Sequence, residues 1–342
     1  MIRQKIKNAI QKAISLSSLP KESSFLVERP TNFVHGDYYS NVAFVLSKRV
    51  SFSPNEIAQI LKENLEKERQ KIFEKIEVSN GFLNFFLSKD FLLSLLLSLL
   101  RKREKFFSIL GKKRPKVQVE FISANPTGPL HIGNGRGAFF GDCLANLLET
   151  AGYKVEREYF INDGKSNSQI EALGKTALKK GTLYLTPYLK EKLKKLEKKL
   201  KKIKEEREAG FFLAQEIQKD IKTFIEKKLK IKFDNWVSEQ KLYDQGKVEK
   251  VYQFLKKKGL IYEKEGAQWL KISQFGAPKD EVVIRQNGQP TYFLSDIAYH
   301  KDKFDRKFKK IINIWGADHQ GHVPKIKAIT KIFNFKGELV IL

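Results

Sequence analysis

The chain has 342 residues, 41% of them hydrophobic, enough for two or three cores at the usual ~100–200 residues per domain. Lys and Arg number 65 against 39 Asp and Glu, a net charge of +26; this suits a polyanionic partner through counterion release, and equally a solubility device or a lysine-rich composition. One cysteine, Cys143, excludes an internal disulfide and a cysteine-rich metal site; the longest apolar run is about half the ~20 residues that span a bilayer, and charges break up the first sixteen residues, so no signal peptide or membrane span is expected and the cytoplasm is the expected compartment.

In chain order, Ile2, Ile6, Ile10 and Ile14 mark one face of a first helix. "SNVAFVLSKRV" is a second apolar segment. "SPNEIAQILKENLEKE" opens with a serine cap, a first-turn proline and a glutamate three after the serine, a helix start. "IEVSNGFLNFFLS" predicts a hairpin turning at Asn-Gly. "FLLSLLLSLL" (91–100) predicts a buried helix. "GKKRPK" (111–116), basic and Pro-containing, marks the expected boundary between a small α+β domain (1–110) and a larger one (111–342).

In the larger domain "KVQVEFIS" alternates as a strand, a glycine-rich turn and a long helix follow, and "YKVEREYFIND" is the next strand. Strand, turn, helix, strand is a βαβ unit and predicts a doubly wound, Rossmann-like parallel α/β sheet with ligands at the carboxyl ends of its strands. Cys143, among apolar helix positions, is expected to be small and buried rather than a nucleophile. "IINIWGADHQGHVPKIKAITKIF" repeats strand, polar turn, helix, so two such turns can face one cleft. A helical and strand insertion is expected at about 175–290. Its Leu189, Leu193, Leu196, Leu200 and Ile203 form an apolar stripe too short for a coiled coil, a solvated helix packing one side, with RNA contact by its lysines as the alternative. "QWLKIS" and "DEVVIRQNGQPTYFL" read as strands, the second turning at Asn287–Gly288.

The stretch "PTGPLHIGNGR" (126–136) carries the most chemistry. A helix mouth offers unpaired N–H groups and a positive dipole end, which suit phosphate. His131 and Asn134, three apart, share a face there and can both donate hydrogen bonds. Neither the P-loop nor a full dinucleotide fingerprint is present.

These residues carry a resemblance. "VEFISANPTGPLHIGNGRGAFFGDCLANLLETAGYKVEREYFINDGKSNSQI" resembles the catalytic core of the arginyl-tRNA synthetases, with "HIGN" where the class I HIGH signature belongs. "FGAPKDEVVIRQNGQPTYFLSDIAYH" and "WGADHQGHVPKIKA" resemble later segments of that family, and "NFVHGDYYSNVAFVLSK" its amino-terminal tRNA-binding domain. The resemblance implies ATP-dependent activation of arginine to arginyl-adenylate, with Mg²⁺ accompanying ATP, and transfer to the 3′ end of tRNA(Arg), the tRNA being needed even for the first step. It implies that Tyr292 and Asp296 grip the guanidinium, on one face if the stretch is helical. Glu120 and Asn125 would hold the amino-acid end. His131 and Asn134 would stabilise the phosphates in the transition state, and Pro126, Gly128, Gly133, Gly316, Asp318, His319 and His322 would complete the ATP site. No tightly bound protein metal site is expected.

Each assignment has a plainer counterpart: a cap for Asp296, a core ring for Tyr292, a solvent-facing strand position for Glu120, a zinc site for the two histidines at 319 and 322, which lacks an evident third ligand. Asn134 stands where the family has a second histidine; an amide still donates but carries no charge. The sequence contains no "KMSK" string, and Thr127, Gly128 and Pro129 occupy the positions where some members place a compensating lysine. The expectation is a synthetase truncated before the KMSKS loop and the anticodon-binding domain, weakly active alone, a monomer, and completed by a carboxy-terminal fragment if the enzyme is split. The alternatives are a noncatalytic RNA-binding fragment, or another class I synthetase or nucleotidyltransferase; a buried carboxylate at Asp296 disfavours a neutral amino acid.

Overall fold

The structure is a computed structural model and describes residues 2–67, 71–106 and 115–342, without the side chains of Glu104, Lys105 and Asp318. Most of the expected basic boundary segment (111–114) lies outside the described residues. The chain divides into two compact units, Met1–Ile109 and Leu110–Leu342.

The first unit runs α1 (Ile2–Ser15), β1 (Val27–Glu28), β2 (Tyr38–Ser40), α2 (Val42–Ser47), α3 (Pro54–Lys67), β3 (Phe73–Ser79), β4 (Phe82–Leu87) and α4 (Lys89–Lys102). Its four strands form an antiparallel sheet in the order β1-β2-β4-β3. The isoleucine stripe of α1 is buried at Ile6, Ile10 and Ile14, against Ile57 and Leu61 of α3 and Leu83 and Phe85 of β4 in one core. The start of α3 is a reciprocal capping box: Ser53 N–H donates to Glu56 at 2.7 Å, and Glu56 N–H donates to Ser53 Oγ at 3.3 Å. The hairpin β3–β4 turns through Asn80 and Gly81, both left-handed, as two-residue hairpin loops require.

One expectation fails here. The run "FLLSLLLSLL" forms α4, but Phe91 is the only residue of that helix that is buried. Leu92, Leu93, Leu96, Leu97 and Leu100 are 43–63% exposed, because α4 leaves the end of β4 and packs only the side bearing Phe91 and Leu95 on the core. No helix among the described residues is long and apolar enough to cross a membrane.

The second unit runs β5 (Lys116–Glu120), α5 (Ile132–Thr150), β6 (Lys154–Ile161), α6 (Ser168–Ala177), α7 (Pro187–Leu200), α8 (Glu206–Phe224), β7 (Asn235–Ser238), α9 (Glu239–Asp244), α10 (Lys247–Lys257), β8 (Ile261–Lys264), β9 (Ala267–Leu270), β10 (Glu281–Ile284), α11 (Tyr292–Asp305), β11 (Lys310–Asn313), α12 (Val323–Ile332) and β12 (Glu338–Ile341). Five strands make a parallel sheet in the order β12-β11-β5-β6-β7. The chain winds outward from β5 through β6 to β7, then returns to the other side of β5 for β11 and β12. This is a doubly wound α/β sheet, and its order reverses between β5 and β11, where Glu120 lies opposite Asn313. Open α/β sheets bind ligands at such a reversal, beyond the carboxyl ends of the strands.

Within 175–290, α7 packs its leucine stripe, with Leu189 buried and Leu193 and Leu196 half-buried against the core. Strand β7 joins the main sheet, while β8, β9 and β10 form a separate antiparallel sheet. The strand read through "PTYFL" stops at Ile284. A turn at Asn287–Gly288 follows, and Tyr292 already begins α11. Thr291 forms the hinge, its hydroxyl donating to Val282 O at 2.8 Å.

Cys143 is exposed, contrary to expectation. The buried line of α5 is Ala138, Gly141 and Ala145, and two residues past Gly141 is the far side of a helix. That line seats α5 on β5. A Cβ at Gly141 would lie 2.3 Å from Cγ of the fully buried Phe121, so only glycine lets helix and strand approach this closely. Gly141→Ala is therefore expected to cost about 1–3 kcal/mol, the usual range for overpacking. Chemical denaturation measures it, and an unchanged midpoint would contradict the close approach.

Candidate functional site

Strand β5 hands the chain to the site through a strained bend. Ile122 has φ 70° and Ser123 φ 41°, a conformation that disfavours β-branched residues and concentrates at functional sites. Neighbouring β6 holds the bend. Ser123 Oγ donates to Glu120 Oε1 at 2.8 Å and accepts from Phe160 N–H at 3.1 Å. The Asn162 amide donates to Ser123 O at 3.3 Å, and Tyr159 hydroxyl to Ala124 O at 3.1 Å. Beyond it Asn125 is exposed and lends its carbonyl to Thr127 N–H at 2.8 Å; Pro126 is buried and Gly128 half-buried.

At the mouth of α5, His131 is the N-cap, and its Nδ1 accepts from Gly133 N–H at 3.2 Å. In return Asn134 Oδ1 accepts from His131 N–H at 3.1 Å. An Nδ1 that accepts places the neutral ring's proton on Nε2. The N–H groups of Gly133, Asn134 and Gly135 are bonded back to His131, so the mouth presents His131 Nε2–H, the Asn134 NH₂ and the positive end of the helix dipole to an anion. A Cβ at Gly133 would press on the His131 ring at 3.0 Å, so glycine permits this cap.

The second half of the site is α11. Its first residue, Tyr292, is about half exposed, and its hydroxyl meets His322 Nε2 at 3.1 Å. Burial, then Lys325, pushes the His322 imidazole below its ordinary value, which favours the neutral ring. One turn after Tyr292, Asp296 is hydrogen-bonded to His300 Nδ1 at 3.0 Å. Burial pushes its carboxyl up, while the His300 hydrogen bond and the nearby Lys303 ammonium act in the opposite direction. Gly316 and His319 are exposed on the turn after β11, where His319 N–H donates to Gly316 O at 3.0 Å. The Asp318 side chain lies outside the described residues. No three His, Cys, Asp or Glu side chains converge on a metal position among the described residues.

Glu120 is not a solvent-facing strand residue; it is 4% exposed. Its Oε2 takes the fully buried Lys303 ammonium at 2.5 Å. Lys303 also donates to Asn313 Oδ1 at 2.9 Å, and the Asn313 amide reaches His300 Nε2 at 3.0 Å. The site residues Glu120 and Asp296 are thus joined through Lys303, Asn313 and His300, three residues that sequence reasoning missed. Beside them, Arg306 makes two bonds to the buried Glu158, one of them at 2.8 Å, and Tyr299 hydroxyl reaches the same carboxylate at 2.8 Å. The signal was a polar stripe on one helix face, Asp296, His300, Lys303 and Arg306, matched to the polar alternation Gln118, Glu120 on the strand below.

A second buried acid pair closes the edge at β7. Glu239 accepts from Ser295 Oγ at 2.6 Å and Gly164 N–H at 3.2 Å, and Asp163 accepts from Ser238 Oγ at 2.8 Å. Burial pushes both carboxyls up.

Comparison with known proteins gives the family. Residues 1–87 match the family described as arginyl tRNA synthetase N terminal domain, and residues 96–170 and 188–342 match tRNA synthetases class I (R), catalytic domain. An arginine–tRNA ligase of Carboxydothermus hydrogenoformans is 41% identical, the alignment covering 94% of this chain and 60% of that protein. The crystal structure of a putative arginyl tRNA synthetase from Campylobacter jejuni superposes with TM-score 0.64 at 37% identity, over 75% of this chain and 60% of that one. The Thermus thermophilus arginyl-tRNA synthetase shares the fold over the whole chain with TM-score 0.69 at 21% identity. The chain spans about 60% of the length of the first of these relatives.

A carboxyl with a raised folded pKa adds stability that is complete below its unfolded value, about 4.3, and is lost as pH rises through the folded value. Glu239→Gln keeps an acceptor for Gly164 and removes the titration. Between about pH 4 and pH 8 the melting temperature of the variant should fall less than that of the wild type; parallel profiles would contradict a raised Glu239.

By fold, strand order and family match, this chain belongs to the class I arginyl-tRNA synthetase family.

Proposed function

We propose that this chain forms the arginine- and ATP-binding cleft of an arginine–tRNA ligase, in which arginine and ATP give arginyl-adenylate and pyrophosphate before the arginyl group passes to tRNA. One observation carries the reading. Two unlike receptors stand at the carboxyl edge of one parallel sheet: a carboxylate beside a tyrosine on the first turns of α11, and a set of anion donors at the mouth of α5.

A guanidinium is planar and permanently charged, so Asp296 with Tyr292 is its natural receptor. A neutral side chain would leave that carboxylate without a cationic partner in a partly buried site, which costs free energy. Asn125, exposed just past β5, holds the amino-acid end, with Glu120, whose oxygens are bonded to Lys303 and Ser123, supporting it from below. His131 Nε2–H and the Asn134 amide donate to phosphate oxygens, where charge accumulates in the transition state, and so act electrostatically rather than as acid and base. Pro126, Gly128, Gly133, Gly316, Asp318, His319 and His322 bound the nucleotide, with Mg²⁺ arriving on ATP. The net charge of +26 attracts the tRNA backbone.

The test separates this reading from a noncatalytic RNA-binding role. Asp296→Asn keeps the shape of the site and removes its charge. Arginine affinity, measured by calorimetry, should fall at least about tenfold while tRNA affinity changes less than about twofold. Undiminished arginine binding would overturn the assignment of Asp296. Loss of tRNA binding alone would favour the RNA-binding role.

A further inference from the structure

The buried chain from Glu120 to Asp296 has a direction, and the direction follows from Lys303. An ammonium has three donors and no acceptor. Those of Lys303 meet Glu120 Oε2 at 2.5 Å, Asn313 Oδ1 at 2.9 Å and the face of the Tyr299 ring at 4.2 Å. Asn313 must therefore turn its oxygen to Lys303 and its NH₂ to His300; a flipped amide would set two donors against each other in a site without water contact. His300 Nε2, 3.0 Å away, must then accept. A ring nitrogen that accepts is unprotonated, so the proton sits on Nδ1, which donates to Asp296 Oδ1 at 3.0 Å and Asp296 O at 2.9 Å. The rings of Tyr299, Phe304 and Trp315 also flank His300.

The consequence is a division of charge. Glu120 is neutralised by Lys303. Asp296 faces an imidazole that cannot take a second proton without breaking a buried hydrogen bond, and so receives a hydrogen bond but no cancelling charge. We propose that Lys303 is a positioning residue: its ammonium orients the Asn313 amide, fixes His300 as the neutral Nδ1–H ring, and leaves Asp296 a full negative charge for a cationic ligand. The identity of that ligand as the arginine guanidinium rests on the function proposed above.

Asn313→Asp tests it. The new carboxylate still accepts from Lys303 but cannot donate, so it demands a donor from His300 Nε2 and makes the ring an imidazolium, which cancels Asp296. The chain has only five histidines, so long-range ¹H–¹⁵N spectra can isolate His300 by its loss in His300→Gln. In the wild type at neutral pH, His300 should show an unprotonated Nε2 and a protonated Nδ1. In N313D both nitrogens should be protonated, and arginine affinity should drop about tenfold or more, the loss of one charge-assisted contact. An Nε2–H or doubly protonated His300 in the wild type, or an unchanged ring in N313D, overturns the proposal. If the ring behaves as expected but the wild type binds no arginine, the relay stands and the arginine reading falls. If N313D does not fold, Lys303→Met decides: loss of the fixed tautomer supports the relay, and its retention overturns it.

Discussion

The Lys303 ammonium, buried completely under the sheet, is the constraint from which the site follows. An ion of that size loses several kcal/mol of solvation in a protein interior unless its partners replace water. Here a carboxylate, an amide oxygen and an aromatic face replace it. Those partners come from β5, β11 and α11 itself. The ammonium therefore ties α11 to the two strands between which the sheet reverses direction, and it brings the first turns of α11 to the edge where such a sheet binds ligands.

This explains why the two faces of the sheet differ. Val117, Val119, Tyr159 and Ile312 meet the apolar helices on one face, and that packing tolerates any well-fitting hydrophobic set. The other face carries Gln118, Glu120, Glu158 and Asn313 against Tyr299, His300, Lys303 and Arg306. Polar pairing is directional, so it orients its members as well as attaching them. The strained bend at Ile122 and Ser123 belongs to the same network, because Ser123 bonds the carboxylate that Lys303 holds.

Elements whose cause is local were legible in the sequence. The Ser53 capping box, the Asn80–Gly81 hairpin and the strand–turn–helix around His131 depend on residues a few positions apart, and the structure forms all three. The proposed ligand roles of His131, Asn134, Tyr292 and Asp296 came from family strings; spacing alone could say only that each pair shares a helix face. What depends on distant partners was misread. Leucines of α4 and Cys143 looked buried because apolar spacing reports a stripe, not whether anything covers it. Glu120 stands in the sequence between a substrate contact and a solvent-facing position, because alternation in "KVQVE" does not reveal that the polar face is roofed by α11, whose Lys303, 183 residues on, supplies a matching donor. Tyr292 read as strand because its β-prone neighbours outweighed the hinge at Thr291.

In the proposed function, arginine and ATP occupy opposite halves of one cleft at the β5–β11 reversal. A crystal structure of the chain with arginine and a non-hydrolysable ATP analogue tests it most directly. The expected result is the guanidinium against Asp296 and Tyr292, and the triphosphate against His131 Nε2–H and the Asn134 amide. Arginine bound elsewhere, or a triphosphate that leaves the mouth of α5 empty, would contradict it.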